Sequence, residues 1–368
     1  MSARPPLTQL LGGLPAAVPF VAPDAIERQT GRVLRLRLGA NESLFGPSPR
    51  ALEAMHTALG RVAYYGDPES AALRAEIARM HGTSPAQIII GSGIDDLLGL
   101  AVRAFLEPGM TAVTSLGGYP TFNFHVLGFG GRLERVPYRD DANDLEALAE
   151  AAHRASARVV YLSNPDNPSG TWHAGSTVKA FIDRLPPDAL LLLDEAYVEF
   201  APPDTAPDLD PSDPRVFRMR TFSKVHGLAG ARIGYGIGAA ETITAFDKIR
   251  HHFGVNAVAQ AGALASLGDR EHVDGVLAAV AEGRADLERL ARNLGFAPLP
   301  SATNFVAIDV GGQPRARALL VGLQERGVFV RMPGAPPLDR CIRVTVAPPR
   351  DRAEFEQIFQ ELVSDFSG

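Results

Sequence analysis

The chain has little cysteine, no long apolar run and no excess of basic charge. Among its 368 residues Cys341 is the one cysteine, which excludes an internal disulfide and a cysteine-built zinc site. No apolar run reaches the roughly 18 residues that a membrane-spanning helix requires. The 36 Lys and Arg residues are outnumbered by 42 Asp and Glu, and the net charge of −6 offers nucleic acid no basic field. We therefore expect neither a membrane nor a nucleic acid as partner.

The distribution of histidine and the composition of the N-terminus argue against a metal site and a signal peptide. The nine histidines are scattered and only His251 and His252 are adjacent, so no spacing typical of a metal site is present and we expect no metal. Residues 1–6 carry one basic residue and lead into no apolar segment of signal-peptide length. This pattern predicts a cytoplasmic protein.

Short apolar runs alternate with amphipathic stretches along most of the chain. The composition, 46% hydrophobic and 21% charged, is that of a globular chain long enough for roughly two domains. Apolar runs that end at Gly, Ser, Asn or Asp are typical of a parallel sheet covered on both faces. The pattern predicts an α/β fold with a mostly parallel sheet sandwiched by helices. The expected strands lie at residues 87–90, 111–114, 159–162, 190–193 and 233–237.

A smaller α+β unit is expected to combine the N-terminal arm with the C-terminal segment. A long helical region begins after Asn256, and further apolar runs follow it. These expected strands lie at residues 304–309, 328–331 and 342–346. The predicted division is an arm at residues 1–45, a large domain at 46–256 and a small domain at 257–368.

Lys224 lies in a segment rich in small residues. Ser223 precedes it, Gly227 and Gly230 follow, and Arg232 comes eight residues later. An amine that attacks a carbonyl must be held still and kept partly dry. A hydroxyl and a fixed guanidinium are suited to binding a phosphate. Together these features favour a pyridoxal phosphate site, and the alternative is a solvated loop lysine beside a structural arginine.

Three other polar or aromatic segments follow predicted strands. The segment Gly91-Ser92-Gly93-Ile94-Asp95-Asp96 opens a helix, where the backbone amides of glycine-rich turns can bind an anion. Phe122, in YPTF, has a ring that can stack on a planar ligand, and Asn167, in a dense Asn-Pro turn, can offer its amide. The alternatives are a tight turn, a core aromatic and a plain turn.

Asp194 follows four consecutive leucines. A carboxylate at the end of so apolar a strand is costly to bury without a cation. A protonated pyridine nitrogen is such a cation, and pairing with it makes the ring an electron sink. Tyr197, three residues later, is within reach of the same ligand. The alternative is a strand-end aspartate that caps a helix. Because ligands bind at the carboxyl ends of strands in open α/β sheets, all five segments can converge on one crevice.

Seven motifs occur in a fixed order along the chain. They are Ala40-Asn41-Glu42 with Phe45-Gly46-Pro47-Ser48-Pro49, Tyr65 with Asp67-Pro68, Asn164-Pro165-Asp166-Asn167-Pro168-Ser169-Gly170, Asp194-Glu195-Ala196-Tyr197, Ser223-Lys224 with Gly227-Leu228-Ala229-Gly230 and Arg232, Asn304-Phe305-Val306, and Arg343-Val344-Thr345-Val346. In these motifs the chain resembles the fold-type I pyridoxal phosphate-dependent aminotransferases, and within them the histidinol-phosphate aminotransferase-like group. The resemblance runs from about residue 38 to about residue 348 and is more specific for the fold than for the substrate.

The resemblance implies pyridoxal 5′-phosphate as the cofactor and gives each motif a role. Lys224 is expected to bond the cofactor and later to move a proton, with Asp194 and Tyr197 as the other catalytic residues. The ring is expected to contact Asp194 at its nitrogen, Asn167 and Tyr197 at its oxygen, and Phe122 on its face. The phosphate is expected to contact Ser223, Arg232, the amides of Ile94 and Asp95, and Tyr65 of a neighbouring subunit, which implies a homodimer with shared sites.

The same resemblance implies which residues contact the substrate. Arg343 and Arg331 are expected to face an anionic group, with Asn41 and Asn304 nearby, and a surface arginine is the alternative for Arg331. Phe20 stands near the place where histidinol-phosphate enzymes carry a tyrosine that bonds the substrate phosphate.

Three functions are compatible with these residues. The first is transfer of an amino group from histidinol phosphate, or a related or aromatic amino acid, to a 2-oxo acid. The second is a pyridoxal phosphate-dependent decarboxylase of a phosphorylated amino acid. The third is a non-catalytic ligand-binding module, which the retention of Lys224, Asp194 and Arg232 disfavours.

Overall fold

The structure is a computed structural model and describes residues 5–16 and 21–366. Within them, twelve strands form a seven-stranded, a three-stranded and a two-stranded sheet. The strands are β1 (Leu36–Arg37), β2 (Ile88–Gly91), β3 (Thr111–Ser115), β4 (Arg132–Val136), β5 (Val159–Ser163), β6 (Leu190–Asp194), β7 (Val216–Thr221), β8 (Gly234–Ile237), β9 (Ala297–Pro298), β10 (Phe305–Asp309), β11 (Val328–Phe329) and β12 (Cys341–Thr345).

The helices lie between these strands in the alternation that the sequence predicts. They are α1 (Gln9–Gly13), α2 (Pro23–Thr30), α3 (Pro49–Leu59), α4 (Ala71–His81), α5 (Ile94–Phe105), α6 (Pro120–Gly128), α7 (Leu145–Arg154), α8 (Gly175–Asp183), α9 (Ala240–Asp247), α10 (Ala257–Leu267), α11 (Arg270–Asn293), α12 (Gln313–Glu325) and α13 (Pro349–Asp365).

The seven-stranded sheet has the order β2-β8-β7-β6-β5-β3-β4. Strand β8 runs antiparallel to both of its neighbours, β2 and β7, and the other pairs are parallel. The prediction of an α/β fold with a mostly parallel sheet is confirmed. All five apolar runs predicted for the large domain form strands within a residue of their expected ends.

Two strands of this sheet, β4 and β7, were not predicted, because charged residues interrupt their apolar pattern. Strand β4 reads RLERV and lies at the edge of the sheet, where its polar side chains stay partly exposed. Strand β7 reads VFRMRT and is internal. Its Arg218 and Arg220 are accommodated because both bond the buried carboxylate of Glu195, with N–O distances of 2.8 Å and 2.9 Å. A continuous apolar run is therefore not required even inside this sheet.

Helices cover both faces of the sheet, which explains the unbroken apolar runs. Along β6, Leu190 and Leu192 belong to one hydrophobic cluster, while Leu191 and Leu193 belong to another. Successive side chains of a strand point to opposite faces, so both faces of β6 are buried. Helix α5 packs against β6, β7 and β8, and α7 packs against β3 and β4.

A smaller set of strands and helices follows the large sheet. Strands β12, β10 and β9 form an antiparallel sheet, against which α11 packs. Strand β1 pairs in parallel with β11, so Leu36 lies opposite Val328 and the N-terminal segment joins the C-terminal part of the chain. Helix α10 is capped at its N-terminus by Asn256, whose side chain accepts a hydrogen bond from the Ala259 N–H. The domain boundaries at residues 45 and 256 stay a prediction.

The described helices are short or amphipathic. The longest of them, α11, has 24 residues and buries one face that includes Val273, Val276, Val280 and Leu287. In residues 5–16 and 21–366, no helix combines the length and the apolarity needed to cross a bilayer.

Two half-buried histidines make the stability of the fold depend on pH. His226 bonds the Ser266 hydroxyl at 2.8 Å, and burial lowers its pKa to about 4; burial also lowers the pKa of His81 to about 4. Both are neutral in the folded protein at pH values where an unfolded histidine already takes up a proton. Between about pH 6.5 and about pH 4 the unfolded state therefore binds more protons, and stability falls as pH falls.

We expect His226→Asn to flatten this dependence. The native chain should lose free energy of unfolding between about pH 6.5 and about pH 4, by roughly 3 kcal/mol for each such histidine. The variant should lose less over the same range, even if it is less stable at neutral pH. Urea unfolding at a series of pH values measures both curves. His252→Asn, at an exposed histidine, is the matched control, and an unchanged slope in His226→Asn would contradict the expectation.

Candidate functional site

The predicted site segments meet at one edge of the large sheet. Strands β2, β5, β6 and β7 are parallel to one another, so their carboxyl ends lie at the same edge. Strands β2 and β7 both pair with β8 at Gly234, opposite Gly91 and Thr221. The turn that follows β2 and the lysine segment that follows β7 are therefore neighbours in space. The edge has the topology of a ligand crevice.

Asp194 ends β6 and is 4% exposed. Its carboxylate accepts hydrogen bonds from the Tyr161 hydroxyl at 2.8 Å and from the Ala196 N–H at 3.0 Å. Burial nevertheless raises the pKa of Asp194 to about 6, because these two bonds do not replace a cation. The site therefore fits a ligand whose positive charge stabilises the ionised carboxylate, as a protonated pyridine nitrogen does.

Tyr161 was not predicted as a site residue. It lies inside the apolar run of β5, where its ring stacks on Phe122 at 4.9 Å between centroids. One sequence feature could have identified it: a tyrosine within a strand predicted to be wholly buried. A buried phenol hydroxyl needs a hydrogen-bond partner, and here that partner is a site residue.

Phe122 does not occupy the position that the sequence predicts for it. It is 0% exposed and stacked on Tyr161, so it presents no surface to a ligand in the crevice. The aromatic residue of this segment with accessible surface is Tyr119, whose hydroxyl donates to Asp95 Oδ1 at 2.8 Å. Helix α6 begins at Pro120, and its first turn directs Phe122 into the core.

Lys224 lies just after β7 and contacts the N-terminal segment. Its Nζ donates to the main-chain oxygen of Asn41 at 3.0 Å and lies 5.5 Å from the centroid of the Tyr197 ring. The turn after the lysine is closed by a 3.0 Å bond from the Gly227 N–H to the Lys224 oxygen. Gly227 has φ +69°, and a Cβ there would lie 2.4 Å from the Gly46 oxygen. The lysine loop is therefore packed directly on the segment that holds Asn41.

A cup for an anion forms where α5 begins. Gly93, the N-cap residue with φ +86°, provides no side-chain cap for the first N–H groups of the helix, which include those of Ile94 and Asp95. The Arg232 guanidinium lies over Gly93, where a Cβ would come within 2.5 Å of Nη2. Ser223, which is 8% exposed, lies in the adjoining loop. Amides at a helix N-terminus, a guanidinium and a hydroxyl fit a phosphate.

The Asp95 carboxylate points to the rim of this cup. It accepts from the Tyr119 hydroxyl and lies 3.5 Å from Arg232 Nη2. Its main chain remains part of the helix N-terminus. The prediction that the Asp95 amide, and not its side chain, faces the anion is thus compatible with the geometry.

Arg343 contacts Asn167 and the N-terminal segment that also contacts Lys224. Arg343 Nη1 donates to Asn167 Oδ1, and Nη2 donates to the Gly39 oxygen at 3.0 Å, above the Phe305 ring. Burial lowers the pKa of Arg343 to about 10. Its Nε and the Oδ1 of Asn304 are buried without a hydrogen-bond partner. A half-buried guanidinium whose hydrogen-bonding capacity is not fully used is suited to an anionic ligand.

Three predicted site residues remain, and one of them lies beside Arg343. Arg331 forms a main-chain bridge with Arg343, and burial lowers its pKa. Tyr65 is 83% exposed and stacks on Phe253 at the surface. Phe20 lies outside the described residues. Within the described part of the chain, no group of three or more His, Cys, Asp or Glu residues is arranged to hold a metal ion.

Comparison with known proteins agrees with this geometry. The profile of the family "Aminotransferase class I and II" matches residues 35–362. The chain is 37% identical to the histidinol-phosphate aminotransferase of Roseiflexus castenholzii, covering 96% of each chain, and 35% identical to that of Symbiobacterium thermophilum, covering 95% and 96%. A crystal structure of histidinol-phosphate aminotransferase from Sinorhizobium meliloti in complex with pyridoxal-5′-phosphate is 49% identical, covers 99% of each chain and has a TM-score of 0.95.

These findings agree with the buried carboxylate, the anion cup and the lysine at the same sheet edge. The cofactor is pyridoxal phosphate and the reaction class is amino-group transfer. The chain belongs to the class I and II aminotransferases, as a pyridoxal phosphate-dependent enzyme of fold type I.

Proposed function

We propose that the amino donor is histidinol phosphate or a closely related or aromatic amino acid, and that a 2-oxo acid accepts the amino group. Arg343, whose Nε has no hydrogen-bond partner, carries this proposal because its guanidinium provides a positive charge beside Asn167 and the segment that contacts Lys224. Arg331 adds a second guanidinium beside it. Full-length similarity to histidinol-phosphate aminotransferases supports the same donor.

The cofactor is held at three points in this proposal. Its phosphate binds the α5 amides of Ile94 and Asp95, the Ser223 hydroxyl and the Arg232 guanidinium. Its ring nitrogen pairs with Asp194, whose raised pKa falls again once a cation is adjacent. Asn167 and Tyr197 donate to its ring oxygen.

We assign the face of the ring to Tyr119 in place of Phe122. Tyr119 is partly exposed at the crevice, and its hydroxyl donates to Asp95, which favours this position of its ring. Burial raises the pKa of Tyr119, and the Asp95 charge adds to this effect, so the hydroxyl stays protonated and remains a donor. Phe122 supports the arrangement from behind, through its stacking on Tyr161.

Lys224 performs the proton transfer. When bound, pyridoxal phosphate supplies an aldehyde carbon that takes up the amino group and a ring that withdraws electrons. With the cofactor bound, the Lys224 amine would be the base that takes the proton from the donor Cα, a role in which a placed base contributes about 10²–10⁴-fold. The Asn41 oxygen, 3.0 Å from Nζ, gives the freed amine a fixed resting position.

The decarboxylase alternative has weaker support. The decarboxylase of L-threonine-O-3-phosphate from Porphyromonas gingivalis has a TM-score of 0.74 but 18% identity, which shows a shared fold alone. An anion site at Arg343 is compatible with both reactions.

The homodimer with shared sites and the cytoplasmic location also belong to this proposal. Tyr65 supports the dimer, because it is exposed on its own chain and free to reach a neighbouring subunit's cup. Cys341, a buried lone cysteine, supports the location, because the fold needs no oxidising compartment.

A donor screen tests the substrate. We expect histidinol phosphate to bleach the yellow band of the lysine-bound cofactor fastest, and a 2-oxo acid to restore it. The sequence has three lysines, so borohydride reduction and peptide mapping can place the cofactor on Lys224. Lys224→Ala is the control and should lack the band. Release of carbon dioxide without an oxo product would favour the decarboxylase, and bleaching by other donors alone would contradict histidinol phosphate.

Gly93→Ala tests the phosphate cup. An alanine Cβ would lie 2.5 Å from Arg232 Nη2, so we expect cofactor affinity to fall about tenfold or more. Gly109→Ala is the matched control, since Gly109 also has a positive φ, +88°, but open space around its Cβ position. Both variants should lose stability from backbone strain, and only Gly93→Ala should lose the cofactor. Equal retention, measured by absorbance after dialysis, would argue against the cup.

Mixed dimers test the shared site. We expect Lys224→Ala and Tyr65→Ala each to lower activity, and their mixed dimer to regain one native site, in which one subunit supplies Lys224 and the other Tyr65. Two affinity tags isolate the mixed species. Tyr64→Ala, at a neighbouring tyrosine that is 72% exposed, is the control and should not need a partner's help. A mixed dimer no more active than its parents would contradict the role of Tyr65.

A further inference from the structure

Asn41 is held through every polar group that it has. Its N–H donates to the Thr345 hydroxyl at 3.1 Å, and its side-chain Oδ1 accepts from the same hydroxyl at 3.3 Å. Its main-chain oxygen accepts from Lys224 Nζ and from Asn304 Nδ2, each at 3.0 Å. Its Nδ2 donates to the Tyr197 hydroxyl oxygen at 2.9 Å. The residue is 2% exposed, so water does not compete for these bonds.

The backbone at Asn41 is left-handed, with φ +56°. Among residues with a side chain, asparagine and aspartate tolerate this conformation best, and glycine adopts it without strain. The conformation lets one residue reach two site residues at once. Its main-chain oxygen faces Lys224, while its side chain faces Tyr197.

The Thr345 hydroxyl fixes the orientation of the Asn41 amide. A hydroxyl has one hydrogen to donate, and here it already accepts the Asn41 N–H. Its hydrogen then needs an acceptor, which Oδ1 of Asn41 provides. If the amide were reversed, this hydrogen would face an N–H group. The orientation therefore leaves Nδ2, a donor without acceptor capacity, against the oxygen of Tyr197.

We propose that Asn41 is a positioning residue that sets the direction of the Tyr197 hydroxyl. Because the phenol oxygen accepts from Asn41, its single hydrogen must be directed elsewhere. In the site described above, it is directed to the ring oxygen of the cofactor. The proposal rests on the proposed contact between Tyr197 and that ring oxygen. It adds that the N-terminal segment, through Asn41, decides whether Tyr197 donates or accepts there.

The electronic consequence can be observed without turnover. A hydrogen bond donated to the ring oxygen stabilises its negative charge and weakens its hold on the proton of the neighbouring nitrogen bonded to Lys224. The pH at which the visible band of the lysine-bound cofactor titrates is therefore lowered by this bond. Loss of one hydrogen bond to a charged group should raise that midpoint by about one pH unit.

The decisive experiment replaces the hydrogen-bond donor of the Asn41 side chain by an acceptor. Asn41→Asp keeps the shape and tolerates the left-handed backbone, but its carboxylate accepts the Tyr197 hydrogen. We expect its absorbance midpoint to rise by about one pH unit, as in Tyr197→Phe. Asn41→Gly keeps the main-chain oxygen facing Lys224 and removes the amide, so the hydroxyl is free to turn. Its midpoint should rise part of the way. Thermal melting of the cofactor-free variants provides the control for folding.

The double variants separate a hydrogen-bond effect from a charge effect. In a Tyr197→Phe background there is no hydroxyl to direct, so adding Asn41→Asp or Asn41→Gly should produce no further shift. A shift that persists there would mean that the new charge acts through space, and would overturn the proposal. A native midpoint in either single variant would overturn it as well, and Asn41→Gly decides alone if Asn41→Asp does not fold. If the absorbance midpoint of Tyr197→Phe were unchanged, the proposed contact between Tyr197 and the ring oxygen would be contradicted instead.

Discussion

The site depends on a carboxylate that the protein buries without a cation of its own. Asp194 ends an internal strand whose other four residues are leucine, and two hydrogen bonds leave its pKa raised to about 6. The protein can maintain this arrangement because the sheet is held together independently. Both faces of β6 are packed, and Glu195, the next residue, is neutralised by Arg218 and Arg220. One of two adjacent acidic residues is thus satisfied internally, and the other is left for the ligand.

Much of the fold and of the cofactor site could be predicted because both follow from strong local rules. Unbroken apolar runs such as the one before Asp194 occur where both faces of a strand are covered. Polar residues at the carboxyl ends of parallel strands must share an edge, which brings Asp194 and Lys224 together without any knowledge of tertiary contacts. Strand β7 was not predicted because its two arginines are neutralised by Glu195, which directly follows β6, and sequence spacing does not reveal such a pairing.

The choice between Tyr119 and Phe122 shows where sequence reasoning ends. Both aromatics lie at the start of α6, and their order does not tell which one faces the crevice. That is decided by the helix beginning at Pro120 and by Tyr161, which packs on Phe122 and turns its own hydroxyl to Asp194. The Thr345–Asn41–Tyr197 chain of hydrogen bonds is equally invisible in the sequence, because its members are separated by up to 304 residues.

The pairing of β1 with β11, and of Asn41 with Thr345, has a consequence for synthesis of the chain. Leu36 and Asn41 are made well before their partners Val328 and Thr345, which lie roughly 300 residues later in the chain. The seven strands of the large sheet, which end at Ile237, can assemble before then, since domains generally fold as units from the N-terminal side. Until then the chain contains Lys224 and Asn41 without Asn304 and Thr345, the residues that hold Asn41 in place. Complete assembly of the site thus waits until β11 and β12 have been made and contact the N-terminal segment.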